Sequence, residues 1–191
     1  MKRACVIPAR GGSVRIPRKN LKPFAGRPII AYSIECAVDS GLFDWIGVST
    51  DDDEIEEVAR RHGATMIHRR PVDDGRMGTQ EVTKRAILDL EIQPYYVCCL
   101  YATAPLLLPK HLHAGLSCLQ AREACYSMSV GAEPLRDAGA YYWSRWDSLM
   151  DDAPLIGPRT VMVPLPEDRV IDINTMEDFR TAEAMHWRLG A

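Results

Sequence analysis

The segment Arg3-Ala4-Cys5-Val6-Ile7-Pro8-Ala9-Arg10-Gly11-Gly12-Ser13-Val14-Arg15-Ile16-Pro17-Arg18-Lys19-Asn20 decides the fold. Its first part, Ala4 to Ile7, is a short unbroken apolar run, the pattern of a strand buried on both faces in a parallel sheet. Its second part is a loop in which glycines sit among arginines and a lysine. Gly11 and Gly12 let backbone N–H groups come close to an anion, and Arg10, Arg15, Arg18, Lys19 and the nearby Lys22 neutralise it. A buried strand emptying into such a loop can wrap a polyphosphate. Nucleotide chemistry is therefore the leading expectation.

The rest of the chain supplies neighbours for that strand. Pro28 suits the first turn of a helix in which Ile29, Ile30, Ile34, Ala37 and Val38 recur at helical spacing, and Gly41 stops it. Trp45 to Ser49 reads as a second strand, and the acids of Thr50-Asp51-Asp52-Asp53 cap a helix from Glu54 to His62. A short third strand, Thr65 to His68, leads into the charged loop Arg69 to Gly78. Thr79 is placed to cap a helix from Gln80 to Leu90, ahead of a fourth strand, Tyr95 to Leu100. Pro109 opens a helix to about Arg122, and Cys125 to Val130 is a fifth strand.

Strands alternating with helices predict an α/β fold, doubly wound, with a mainly parallel sheet between helices. Ligands of such folds sit beyond the carboxyl ends of the strands, where the basic loop lies. After Val130 the pattern is irregular. Ala140 to Trp143 and Val161 to Val163 are strand-like, proline-rich turns run from Ala153 to Pro166, and Thr175 with Asp178 forms an acidic capping box for a terminal helix.

With 191 residues, 47% hydrophobic and 26% charged, the chain has the size and balance of one soluble globular domain covering 1–191. A net charge of -3 gives no global attraction to nucleic acid or anionic lipid. The first apolar run is only a strand long, so neither a signal peptide nor a membrane span is expected, and a cytoplasmic location follows. Cys5, Cys36, Cys98, Cys99, Cys118 and Cys125 lie mostly in apolar segments and read as free thiols, and no C-x-x-C pair suggests zinc. The five histidines show no ligand spacing.

The loop fits neither G-x-x-x-x-G-K-[ST] nor G-x-G-x-x-G, which argues against a P-loop ATPase or a dinucleotide-binding dehydrogenase. It does match a nucleotidyltransferase signature, a proline-alanine-arginine followed by a lysine-asparagine pair. Six stretches occur in the order of one family: PARGGSVRIPRKNLKPFAGRPIIAYSIE, VSTDD, Arg70-Pro71, CCLYATAPLL, RDAGAYYW and VIDINTMEDF. The chain thereby resembles the acylneuraminate cytidylyltransferases over nearly its whole length. CCLYATAPLL and DAGAYYW are most similar to members acting on pseudaminic acid.

The resemblance implies a Rossmann-like fold of the nucleotide-diphospho-sugar transferase type and transfer of CMP from CTP to the anomeric hydroxyl of a nine-carbon sugar acid, of pseudaminic or sialic type. It implies that Arg10, Gly11, Gly12, Ser13 and Lys19 hold phosphates, that Asn20 fixes the ribose side and that Arg70 reaches the cytosine edge. Thr79 either helps read the base or simply caps its helix. Asp172, with Asn174 beside it, would ligate Mg²⁺, and Asp51, Asp52 and Asp53 read as capping and surface acids. Tyr101, Thr103, Tyr141 and Tyr142 are the candidates to face the sugar acid. Arg10, Lys19 and Asp172 would carry the catalysis, and a homodimer is implied.

Two positions depart from the family pattern. Val14 stands where a lysine is usual, a loss that Arg15 or Arg18 would make good, and Asn174 replaces a second aspartate. The chain is also shorter around Gly75 to Thr79 and, more heavily, between Val130 and Asp137, where the family's subunit-packing excursion lies. These departures leave two alternatives open: a nucleotide-binding homologue with weakened catalysis, or a nucleotidyltransferase for another acceptor.

Overall fold

The computed structural model describes residues 1–72 and 77–190. Strand β1 (Arg3–Pro8) is followed by the basic loop, a 3₁₀ turn at Lys19–Leu21 and a small hairpin of β2 (Pro23–Phe24) and β3 (Arg27–Pro28). Then come α1 (Ile29–Asp39), β4 (Trp45–Thr50), α2 (Asp53–Arg61), β5 (Met66–Arg69), α3 (Thr79–Asp89), β6 (Tyr96–Leu100) and α4 (Pro109–Ala121). The last part holds β7 (Tyr126–Gly131), β8 (Arg136–Arg145), α5 (Trp146–Met150), β9 (Thr160–Pro164), a 3₁₀ turn at Glu167–Arg169 and α6 (Met176–Arg188).

Seven strands form one sheet in the order β5-β4-β1-β6-β8-β7-β9. Pairings of β1 with β4 and β6, of β4 with β5 and of β7 with β9 are parallel; only β8 runs antiparallel, against both β6 and β7. The expected doubly wound, mainly parallel architecture is the one observed. From β1 the chain winds outward through β4 and β5, then returns to place β6 on the other side of β1. That reversal opens a crevice at the carboxyl ends of β1 and β6.

Alternation along β1 shows why the sheet is covered on both sides. Cys5 and Ile7 face a cluster with Ile30 and Ile34 of α1, Ile55 of α2 and Leu112 and Leu116 of α4. Ala4 and Val6 face Ala86 and Ile87 of α3 and Leu149 of α5. Every one of these side chains is buried, and each large one contributes about 1.5–3 kcal/mol of burial energy. Helix α6 closes a separate cluster with Ile16, Phe24 and Ile29, so the basic loop is pinned through Ile16 to the end of the chain.

Local signals set the element ends as expected. Asp52 caps α2 by accepting from the Glu54 and Ile55 amides, and Thr175 and Asp178 form a reciprocal capping box on α6. Thr79 differs: it is the first residue of α3, behind Gly78, and makes no side-chain cap. Helix α5 and the β2–β3 hairpin, absent from the sequence reading, are too short to carry a periodic signal. The connection between Val130 and Asp137 is a tight hairpin, with Gly131 already paired to Arg136. The shortening expected around Gly75 to Thr79 falls partly on residues outside those described.

Candidate active site

The basic loop is held from below by the acids that follow β4. The Gly11 amide donates to Asp51 Oδ1 at 2.8 Å, and Ala9 N–H donates to the Ser49 carbonyl at 2.8 Å. A Cβ on Gly11 would lie 2.5 Å from Asp52 Oδ2, so only glycine permits this approach. Asn20 is buried and its Nδ2 donates to the Arg10 carbonyl at 2.9 Å, closing the loop from the other side. The Ser13 amide donates to Gly11 O at 2.9 Å. The Gly11 amide is thus engaged by Asp51 and the Ser13 amide by the loop's own Gly11 carbonyl, which corrects the expectation that all the loop amides offer themselves; Gly12 is exposed. Asp51 and Asp52 are scaffold, as expected of capping acids.

Above the loop lies a cleft of about 270 Å³ at the reversal between β1 and β6. One wall is Arg10, Ser13, Val14, Arg15, Lys19 and Asn20; a second is Arg70, Met77, Thr79 and Val82; the third is Tyr101, Ala102 and Thr103. Arg70 reaches it because its amide continues the sheet, donating to Thr50 O at 3.1 Å. Thr79 arrives on the first turn of α3. Lys19 Nζ donates to Ile173 O at 2.8 Å, which ties the loop to the segment before α6. Burial lowers the Lys19 pKa; Asp172 opposes that shift, and the charges of Arg15 and Arg10 reinforce it.

Asp172 stands beside this cluster on an exposed turn. Gly139, at φ +59, lets the backbone of β8 pack against it: a Cβ there would lie 3.0 Å from Asp172 Oδ1. Asn174 Nδ2 donates to Asp172 Oδ2 at 2.5 Å. Asn174 therefore turns its NH₂ to the carboxylate and acts here as its partner. Among the described residues no group of three or more His, Cys, Asp or Glu is arranged to hold a metal.

The tyrosines separate by the alternation of β8. Tyr142 donates to Asp137 and receives a long 3.4 Å hydrogen bond from the Tyr101 hydroxyl, so Tyr101, on the cleft wall, is backed by a row ending at a carboxylate. Burial, then the hydrogen bond to Asp137, holds the Tyr142 hydroxyl firmly protonated. Tyr141 points the other way. It is fully buried under α4, where a Cβ on Gly115 would touch its ring at 2.6 Å, and its hydroxyl has no hydrogen-bond partner among the described residues. The expectation that Tyr141 and Tyr142 face a substrate is corrected: neither lines the cleft, Tyr141 being core and Tyr142 buried behind Tyr101. Thr103 is largely buried but lines the cleft.

Met77 and Val82 line the cleft without having been singled out, and Asp137 backs it; none of the three carries a signal in the sequence, whereas Arg15 lines the cleft as one of the cations expected in the loop. A separate row, Ser49 Oγ to His68 Nδ1 at 2.9 Å and His68 Nε2 to Asp89 at 2.8 Å, has the composition of a hydrolase triad. Ser49 is fully buried, so no substrate reaches it and the row is structural. All six cysteines are free, and no helix of the described residues is long and apolar enough to cross a membrane.

Comparison with known proteins agrees with this geometry. The family model described as cytidylyltransferase matches residues 4–150. A pseudaminic acid cytidylyltransferase of Campylobacter jejuni is 34% identical over 97% of both chains. An N-acylneuraminate cytidylyltransferase of Oncorhynchus mykiss is 42% identical over 59% of this chain and 26% of its own length. Among solved structures, CMP:2-keto-3-deoxy-manno-octonic acid synthetase complexed with CTP superposes with a TM-score of 0.77 at 17% identity, covering 98% of this chain and 99% of its own.

Proposed function

This chain belongs to the cytidylyltransferase family, and from that membership we propose that it transfers CMP from CTP to the anomeric hydroxyl of a nonulosonic acid, of pseudaminic or sialic type, releasing pyrophosphate. The observation that carries the reading is the meeting of Arg10, Lys19 and Arg70 in one cleft at the β1–β6 reversal, with Asp172 at its edge.

In the reaction the sugar hydroxyl oxygen bonds to the α-phosphorus, the bond from that phosphorus to the β-phosphate bridge breaks, and the hydroxyl proton is lost. Negative charge accumulates on the departing pyrophosphate, so the chain's task is alignment and charge neutralisation. Arg10 and Lys19 supply fixed cations for the phosphates, with the Ser13 hydroxyl and the Gly12 amide as neutral donors. Gly11 contributes by close approach to Asp52, shaping the loop. Arg70 offers a guanidinium to the cytosine carbonyl, and Thr79 a hydroxyl beside it. Asn20 fixes the ribose side indirectly, by holding the Arg10 carbonyl. Tyr101 and Thr103 face the sugar acid, and Tyr142 supports Tyr101.

A divalent cation, Mg²⁺ by its chemistry, fits Asp172. Mg²⁺ takes one or two carboxylates and completes its shell with water and phosphate oxygens, so one exposed carboxylate next to a triphosphate cleft suffices. When bound, it neutralises charge on the phosphates. Asn174 holds the Asp172 carboxylate in place.

We further propose a cytoplasmic, homodimeric enzyme acting as one nucleotidyltransferase domain; six free thiols fit a reducing compartment. Incubating the protein with CTP, Mg²⁺ and each of pseudaminic, legionaminic, sialic and 3-deoxy-manno-octulosonic acids tests the reaction. Pyrophosphate release with a nine-carbon acid is expected. CTP binding by calorimetry with no release across the panel would replace this reading with that of a nucleotide-binding homologue.

A further inference from the structure

As the acceptor oxygen bonds to phosphorus its proton must leave, and the arginines of the cleft, donors only, cannot take it. Asp51 and Asp52 are turned to the basic loop and to α2, accepting from the Gly11 amide and from the amides of Glu54 and Ile55. The wall formed by Tyr101, Ala102 and Thr103 holds no carboxylate, but it holds the head of a row that leads to one. Tyr101 donates to the Tyr142 oxygen at 3.4 Å, and Tyr142 donates to Asp137 Oδ2. Chemistry fixes that order: an ionised carboxylate only accepts, so Tyr142 gives its hydrogen to Asp137 and has only its oxygen to offer Tyr101. The Tyr101 oxygen, with the Thr79 hydroxyl bonded beside it, in turn keeps lone-pair capacity toward the cleft.

The middle of the row is sealed and its far end is open. Tyr142 is 4% exposed, packs with Cys99, Met128 and Val130, and meets the Tyr101 ring edge-on with centroids 5.5 Å apart. Burial, then the hydrogen bond to Asp137, raises the Tyr142 pKa, so this hydroxyl hands a proton on without resting as phenolate. Asp137 is exposed, its Oδ1 is fixed by the Gly139 amide at 2.8 Å, and it makes no ion pair among the described residues; the adjacent Arg136 turns to Glu167 at 2.8 Å. From this arrangement we propose that the proton of the acceptor hydroxyl leaves through Tyr101, Tyr142 and Asp137. As the acceptor oxygen bonds to the α-phosphorus and pyrophosphate departs with the bridging oxygen and its electron pair, the acceptor proton moves to the Tyr101 oxygen. The Tyr101 proton moves to Tyr142, and the Tyr142 proton to Asp137. Asp137, then a neutral carboxylic acid, returns the proton to water, and both tyrosines end as they began. The 3.4 Å step is the loosest in the row, and an acceptor seated on Tyr101 closes it, as catalytic hydrogen bonds tighten in the loaded complex. Tyr101 touches the acceptor; Tyr142 and Asp137 are positioning residues that act through it. The relay rests on the transferase reading of the cleft.

Single-turnover transfer from saturating CTP, with calorimetry for CTP affinity, tests the relay. Asp137→Asn keeps an oxygen for the Gly139 amide but cannot take a proton. Its transfer rate is expected to fall about 10²-fold, the worth of proton transfer by a positioned group, with CTP affinity and melting temperature unchanged. Tyr142→Phe interrupts the row in its sealed middle and is expected to lose rate as well as acceptor affinity. Asp137→Ala leaves a space open to solvent. Added formate, but not chloride at equal concentration, is expected to recover the rate of that variant and not of Tyr142→Phe, a rescue that a merely structural row would not show. A wild-type rate in Asp137→Asn, or a loss in Asp137→Ala that formate leaves unchanged, would overturn the relay, while turnover by the wild type keeps the transferase reading standing. A wild type that releases no pyrophosphate with any acid of the panel would overturn that reading, and the relay with it.

Discussion

Asp172 and Arg10 approach the reaction from different elements, and their loss should be felt in catalysis rather than folding. Each is on a surface turn or loop, outside the buried clusters. Arg10→Ala and Asp172→Ala are each expected to lower kcat by about 10²–10³, the scale of a lost charge-stabilising group, with melting temperatures unchanged. Lys19 makes a pH prediction. Its folded pKa lies below the unfolded value of 10.5, chiefly through burial, so the native protein releases this proton first and stability rises with pH through that window. Phosphate binding needs the charged form. CTP affinity should therefore fall as pH rises through the lowered pKa, and Lys19→Arg, which stays charged, should flatten the profile measured by calorimetry. The paired tyrosines give a contrast. Tyr141→Phe removes a buried hydroxyl without a hydrogen-bond partner among the described residues and should leave activity and stability intact, whereas Tyr142→Phe breaks the row from Asp137 to Tyr101 and should raise the acceptor KM. Steady-state kinetics on both variants separates them. Neither difference was legible in the sequence. Adjacent tyrosines look alike until the phase of β8 is known, and Arg15 and Arg18 differ only through partners more than thirty residues away on α2.

Elements were legible where a signal is local. The run Ala4 to Ile7, the Asp52 cap and the Thr175–Asp178 box all act within a few residues, and each appears as read. The phase of β8 is not local. Pairing with β7 shifts between Met128 and Val130, Gly139 takes a positive φ, and Ser129 Oγ bridges the irregularity by donating to Tyr141 O at 3.1 Å and accepting from Tyr141 N at 3.0 Å. That repair decides which tyrosine stands behind Tyr101. The start of α4 carries a second device of this kind. His111 is buried, and its Nδ1 accepts from the Leu108 amide at 3.1 Å, a cap made by a ring nitrogen. Burial, with Lys110 and Arg169 nearby, lowers its pKa from 6.5 to about 4. The unfolded chain takes up this proton first on acidification, so stability should decline as pH falls from 6.5 to about 4 and lose nothing further through this group below that. His111→Gln keeps an acceptor at the same helical position and should remove that part of the pH dependence in thermal melts.

For the whole molecule, the order of the sheet matters more than any single element, because it places the reversal between β1 and β6 where the loop, α3 and the Tyr101 segment converge. Alternation of strand and helix foretold that architecture and the end of the sheet at which the cleft opens. It did not foretell β8 inserted between β6 and β7, since antiparallel insertion leaves no mark in an apolar strand. Ligand binding should register globally: the cleft draws on residues from Pro8 to Thr103, and its basic loop is tied to the segment before α6 by the hydrogen bond from Lys19 to Ile173. CTP at 100 times its dissociation constant should stabilise the fold by about 2.7 kcal/mol, read as a rise in melting temperature of about 5–10 °C. CTP that leaves the melting curve unmoved at such concentrations would contradict binding at this cleft.

The reversed course of β8 has a consequence for how such a site can change. Parallel strands reach the cleft with their ends and hand it to loops, whose lengths drift freely. β8 comes up behind it with its beginning, so Asp137, which backs Tyr142, and Gly139, which packs on Asp172, are delivered by a strand laddered to β6 and β7 rather than by a flexible connection. The support behind this wall alternates in a two-residue rhythm: Tyr142 packs with Cys99, Met128 and Val130 behind Tyr101, while Tyr141 and Trp143 are committed to holding α4 against Gly115. A combinatorial library aimed at new acceptors should randomise positions 101 and 103 and keep 141 and 143 fixed. Libraries varied at the latter pair should yield mostly unfolded clones.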